Sequence, residues 1–141
     1  MTTSSSLGNM NMIQPQSIIV AASDETTAIT TADNPKTTFR TPYPFQVLGV
    51  KASLTTAGST SGTTTIDIND DGTSILSTKI TIDQGELTSE TAATPPVLAS
   101  TGYTILPDSQ LTIDVDAISG GGTEAGLKVE IIGYPLGARL S

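Results

Sequence analysis

Residues 63–83 read TTTIDINDDGTSILSTKITID, and apolar and polar side chains alternate on both sides of Asp71-Gly72. Ile66 and Ile68 fall on one side, with Asp67 and Asn69 on the other. After the break, Ile80 and Ile82 alternate with Lys79, Thr81 and Asp83. A period of two belongs to a strand with one buried and one wet face. Asp-Gly between two such runs suits a two-residue hairpin, because a type I′ turn needs positive φ at both central positions. The segment predicts a β-hairpin.

The same residues carry a competing metal reading. Asp67, Asn69 and Asp71, followed by Gly72, match the first half of a calcium loop, D-x-N-x-D-G. Calcium takes six to eight oxygens, and the helix-flanked loop supplies a bidentate Glu at its twelfth position. Here that position holds Thr78, and no helix flanks the segment. Asp67, Asn69 and Asp71 therefore stand as a weak calcium candidate, and the hairpin is the primary expectation.

Strand signals continue on both sides. Residues 17–22, SIIVAA, read as a short buried strand, and residues 36–41, KTTFRT, as another after the turn Asp33-Asn34-Pro35. Leu48, Val50, Ala52 and Leu54 alternate with Gly49, Lys51, Ser53 and Thr55. Leu111, Ile113 and Val115 alternate with Thr112, Asp114 and Asp116, and Leu127, Val129 and Ile131 close the series. Residues 86–94 fit a strand or a loop, and residues 120–122, three glycines, fit a hairpin loop. No stretch shows a capped 3.6 period. Short strands separated by turns argue an all-β fold, an antiparallel, jelly-roll-like sandwich of about eight strands. Residues 1–16 are polar and aperiodic and read as an extended N-terminal arm, residues 17–134 as the sandwich, and residues 135–141 as a short tail.

Composition narrows the chemistry. The chain has 141 residues, no Cys and no His, which removes disulfides, thiolate chemistry and Ser-His or Cys-His nucleophile pairs. Fourteen acidic against six basic residues give a net charge of −8, unfavourable for nucleic acid. Two Phe, three Tyr and no Trp leave little for base or sugar stacking. The N-terminus lacks the charged and apolar regions of a signal peptide, and no apolar run reaches transmembrane length. Synthesis in the cytoplasm without membrane attachment is expected.

Three further groups carry candidate chemistry. Asp108, Asp114 and Asp116 form an acidic cluster, read as a solvated strand face rather than an acid/base pair. Phe39, Tyr43 and Phe45 lie around two prolines and read as core or corner packing. Lys36, Arg40 and Lys51 are close enough in sequence to form a small basic spot. None of these makes an enzyme; the expectation is a non-enzymatic protein with no cofactor.

Three segments together resemble a family of small β-domains from tailed-phage virions. They are IIVAASDETTAITTADNPKTTFRTPYPFQVLGVKASLTTA, then IDINDDGTSILSTKITIDQGE, then LTIDVDAISGGGTEAGLKVEIIGYP, in the family's order. The resemblance covers roughly residues 17–135. It implies a sandwich fold and a virion location, and it brings no catalytic residues. Members occur as stand-alone proteins and as modules of tail or fibre proteins. A single domain with a polar arm and an apolar-tipped tail points, within that family, to a capsid decoration or cement protein. The expected partners are the major capsid protein and further copies of itself, as a homotrimer on the capsid surface, with no nucleic acid and no membrane. Met10, Met12, Ile13, Leu136 and Leu140 are the expected interaction residues. A tail or fibre tip binding a host glycan is the alternative, and a carbohydrate-binding module a remote one.

Overall fold

The 63–83 stretch is the innermost turn of a rolled double strand. The computed structural model describes residues 14–137. Its strands are β1 (Gln16–Ala21), β2 (Thr37–Arg40), β3 (Phe45–Ser53), β4 (Thr63–Asp70), β5 (Thr73–Ser74), β6 (Leu76–Thr78), β7 (Ile80–Asp83), β8 (Val97–Leu98), β9 (Thr104–Ile105), β10 (Gln110–Ala117) and β11 (Lys128–Pro135). A 3-10 turn, Ser89–Thr91, occupies part of the 86–94 stretch that fits a strand or a loop. No described helix is long and apolar enough to cross a membrane.

The pairing is nested. β4 pairs with β7, β3 with β9, β2 with β10 and β1 with β11, all antiparallel. The resulting ribbon curls so that β11 also pairs with β3, and β10 with β4. One sheet runs β1-β11-β3-β9 and the other β2-β10-β4, with β5 and β7 both on the far edge of β4. β5 and β7 are successive parts of one returning strand, so eight principal strands build the roll. This is a jelly roll, the architecture the alternation predicted. β6 and β8 form a separate two-stranded ribbon.

The two sheets face each other over one apolar core. Val47, Val50, Val129 and Ile131 come from one, and Ile66, Ile68, Leu111, Ile113 and Val115 from the other. Ile66, Ile68, Ile80 and Ile82 are at most 1% exposed, as their period requires. Each such side chain removed from water contributes roughly 1.5–3 kcal/mol, before the opposing entropy of ordering the chain.

Two bulges break the simple alternation. Ile132 opposes Gly49 while Gly133 opposes Val47, which leaves Leu48 as the extra residue. Val47 and Val50 both point inward, and Leu48, expected in the core, is 50% exposed. A bulge shifts the phase of a strand by one residue, so the inward set changes at that point. On β10 the shift between Val115 and Ala117 makes Asp116 the extra residue.

Two further expectations change. Residues 17–22 are not a buried strand: β1 is the sheet's edge, Ile18 and Val20 are half-buried, and Ile19 is 65% exposed. Asp67, expected on the wet face, is buried. Its cover comes from an excursion of the returning strand. Ile66 pairs with Ile80 but Asn69 with Ser74, so three steps along β4 face six on the other side. The excess chain leaves the sheet as β6 and folds over Asp67.

Candidate functional site

The calcium-like residues each engage a partner within the chain. Asp71 and Gly72 have φ of 49° and 87°, as the type I′ turn demands. Asp71 Oδ1 accepts from the Gln110 amide at 3.0 Å. Asn69 Nδ2 donates to Asp114 Oδ2 at 3.2 Å. Asp67 Oδ1 accepts from the Ser74 hydroxyl at 2.5 Å and from the Ile68 amide at 2.9 Å. The cation beside Asp67 is Lys79, whose Nζ lies 3.4 Å from Asp67 Oδ2 and 2.6 Å from Asp116 Oδ2. The three side chains form part of a turn and an ion-pair network. Among the described residues no group of three or more acidic side chains has metal-binding geometry.

The acidic cluster divides. Asp114 lies directly across from Asp67 on adjacent strands, an unfavourable pairing of like charges. Burial, then the charges of Asp116 and Asp67, push its carboxyl above the ordinary carboxylate value. The Asp116 bulge turns that side chain to Lys79, whose ammonium is held above its ordinary value mainly by this hydrogen bond. Asp108 is remote from both and pairs with Arg40, whose Nη1 donates to the Asp108 carbonyl at 2.5 Å. The expected basic spot disperses as well: Lys36 donates to the Ala32 carbonyl, Arg40 meets Asp108, and Lys51 lies 3.5 Å from Glu90.

Phe45 is buried, Phe39 packs against the core, and Tyr43 is half-buried. With Ile18 they line a small cleft of about 170 Å³ where the β1 and β2 edges face each other. Of the expected interaction residues, Leu136 is half-buried and its amide donates to the Pro44 carbonyl at 2.8 Å, continuing β11 alongside the start of β3. Met10, Met12, Ile13 and Leu140 lie outside the described residues, as does nearly all of the expected arm.

At the opposite end, Glu124 is fully buried. Its Oε1 accepts from the Ser119 amide at 2.5 Å and the Thr64 hydroxyl at 3.0 Å. Burial pushes its carboxyl up, but hydrogen bonds from Ser119, its own backbone amide and Thr64 outweigh it and leave it below the ordinary value. Gly58 packs against this pair so closely that a Cβ there would meet Ser119 and Glu124. The carboxylate thus ties the start of β4, at Thr64, to the glycine-rich 118–124 loop.

The unsatisfied surface is apolar. Ile19, Leu48, Leu87, Val97 and Leu106 are 48% to 65% exposed. Leu48 and Val97 lie on opposite walls of an open cleft of about 480 Å³. One wall is residues 46–50 of β3, the other is Pro96, Val97 and Leu98, and Thr101 and Gly102 complete the lining. Among the described residues no charged side chain lines it. Sequence reasoning missed this cleft, although adjacent Val47 and Leu48 hinted that the alternation would break there.

Comparison of the chain with family models, with curated proteins and with solved structures gives no match.

Proposed function

We propose that this chain is a non-enzymatic structural protein of a tailed-phage virion, a decoration or cement protein seated on the capsid exterior. What carries the reading is the contrast between interior and surface. Buried polar side chains such as Asp67, Thr64 and Ser89 are engaged within the chain, whereas uncovered apolar groups stand on the β1 edge, in loops and in the β3–β8 cleft. Such a surface suits docking to a large partner better than chemistry on a small one. The ordered resemblance of residues 17–135 to virion β-domains supplies the setting.

In this reading the partners are the major capsid protein and other copies of this chain, assembled as a homotrimer. A protein that binds only the assembled shell stabilises it by mass action. Many copies, each held at more than one point, multiply modest affinities. The test is co-sedimentation of the purified chain with emptied, expanded capsids, together with its copy number per virion. Saturable binding and hundreds of copies are expected. A handful of copies per particle, without capsid binding, would overturn the reading in favour of a tail position.

A further inference from the structure

Where short partner strands leave β10 and β3 uncovered, the gaps are mostly sealed. Beyond β2, the side-chain amide of Asn34 continues the ladder on β10, donating to the Val115 carbonyl at 3.0 Å and accepting its amide at 3.1 Å. On β3, Val47 N–H is taken by the Tyr103 carbonyl, Ala52 N–H by the Ser89 hydroxyl and Leu54 N–H by the Leu87 carbonyl. Antiparallel pairing alternates, so Val50, two residues before Ala52, directs its N–H and C=O to this same side. β9 reaches only Phe45 and Gln46, and the cleft lies against Val50. Val50 therefore presents an open donor and acceptor beside the exposed Leu48, with Val97 opposite.

An open edge between two walls accepts a single extended peptide by strand addition, with main-chain hydrogen bonds and flanking side-chain pockets. A whole sheet edge from another domain is too broad, because β9 and residues 87–89 flank the gap. The lining also selects the occupant by charge. A buried Asp, Glu, Lys or Arg would lose hydration and meet no counter-charge among the described residues there. The occupant is an uncharged segment with apolar side chains at alternate positions.

The chain's own sequence contains such a segment. Residues 1–13 include no Asp, Glu, Lys or Arg, and Met10 and Met12 are spaced to share one face of a strand. We infer that the cleft between β3 and β8 receives the Met10–Met12 segment of a second copy of this chain. The same copy is a poor donor. Gln16, Gly133 and Val47 are in register across β1, β11 and β3. Three strand spacings, about 14 Å, therefore separate the start of β1 from the cleft. Crossing them consumes about four extended residues, 12–15, so the same copy would spend Met12 on the crossing and could not lay Met10 and Met12 along the cleft together. The inference deepens the proposed self-association but requires no capsid to test.

The experiment is sedimentation velocity on the full chain over a range of concentrations, with a synthetic peptide of residues 1–14 as competitor. Wild-type chains are expected to associate, and the peptide to dissociate them. Leu48→Asp, on the exposed cleft wall, and Met12→Asp, in the segment, should each weaken association at least about tenfold. Leu106→Asp, exposed but outside the cleft, should associate as wild type. Mixing Leu48→Asp with Met12→Asp should restore pairs, because one supplies an intact segment and the other an intact cleft. Circular dichroism establishes that each variant is folded. A monomeric wild type, a folded Leu48→Asp that associates normally, or a mixture that fails to pair would each overturn the inference. Capsid co-sedimentation, measured separately, shows whether the virion reading stands or falls independently.

Discussion

The hydroxyl of Tyr103 donates to Asp70 Oδ2 at 2.9 Å, joining the segment that leads into β9 to the end of β4 on the other sheet. Burial, then the hydrogen bond and charge of Asp70, push the Tyr103 phenol up to about 12 from an ordinary 10.0. A raised value means the folded state holds its proton more tightly. The resulting stability is complete below about pH 10 and is lost as pH rises towards 12. Tyr103→Phe should cost about 1 kcal/mol at neutral pH, and that cost should shrink across this alkaline window. Urea unfolding of both proteins at a series of pH values measures it.

Asp114 has the opposite consequence at neutral pH. Its ionised form faces Asp67 across the strands and Asp116 nearby, so folding favours its protonated form. Asp114→Asn keeps an oxygen for Asn69 and removes one like charge. The variant should be more stable than wild type at pH 7 by a few tenths to about 1 kcal/mol. That advantage should fade as pH falls through the raised value towards the ordinary 3.8. Lys79→Met should act in reverse, destabilising by about 1 kcal/mol, because Asp67 and Asp116 lose their shared cation. Thermal melts at pH 7 and below pH 4 distinguish the two.

Glu124 is predicted to be the most sensitive polar position. Glu124→Ala leaves the Ser119 amide and the Thr64 hydroxyl without their acceptor and opens a cavity between two loops, a loss of about 2–4 kcal/mol. Glu124→Gln, which retains shape and one acceptor oxygen, should lose less. Because the carboxyl lies below its ordinary 4.5, its contribution is present above that pH and disappears as pH falls through the lowered value. The gap between wild type and Glu124→Gln should close in acid, as measured by chemical denaturation.

The period of two at Ile66, Ile68, Ile80 and Ile82 made the hairpin legible, since alternation and burial follow from the same backbone geometry. The Asp-Gly turn was legible for the same reason. The bulges were not, because an extra residue leaves composition unchanged and shows itself only where the partner strand is known. The plain alternation therefore puts Leu48 in the core and gives no sign of the cleft. The same alternation puts Asp67 in water, because its cover is a strand excursion that no local pattern announces. The β1–β11 pairing joins residues more than a hundred apart, and only the assembled fold brings them together.

The nested pairing governs how this chain reaches its fold. Gln16 meets Gly133 only across most of the chain, a slow closure if attempted first. The β4–β7 hairpin closes a short loop, and once formed it shortens the path for β3 with β9, then β2 with β10, then β1 with β11. Assembly is therefore predicted to run as a zipper from the centre of the sequence outward. Ile80→Val, in the hairpin, should mainly slow refolding, while Val129→Ala, in the outermost pair, should mainly accelerate unfolding. Stopped-flow chevron plots separate these effects. The first strand to be read in such a chain is the last to be held.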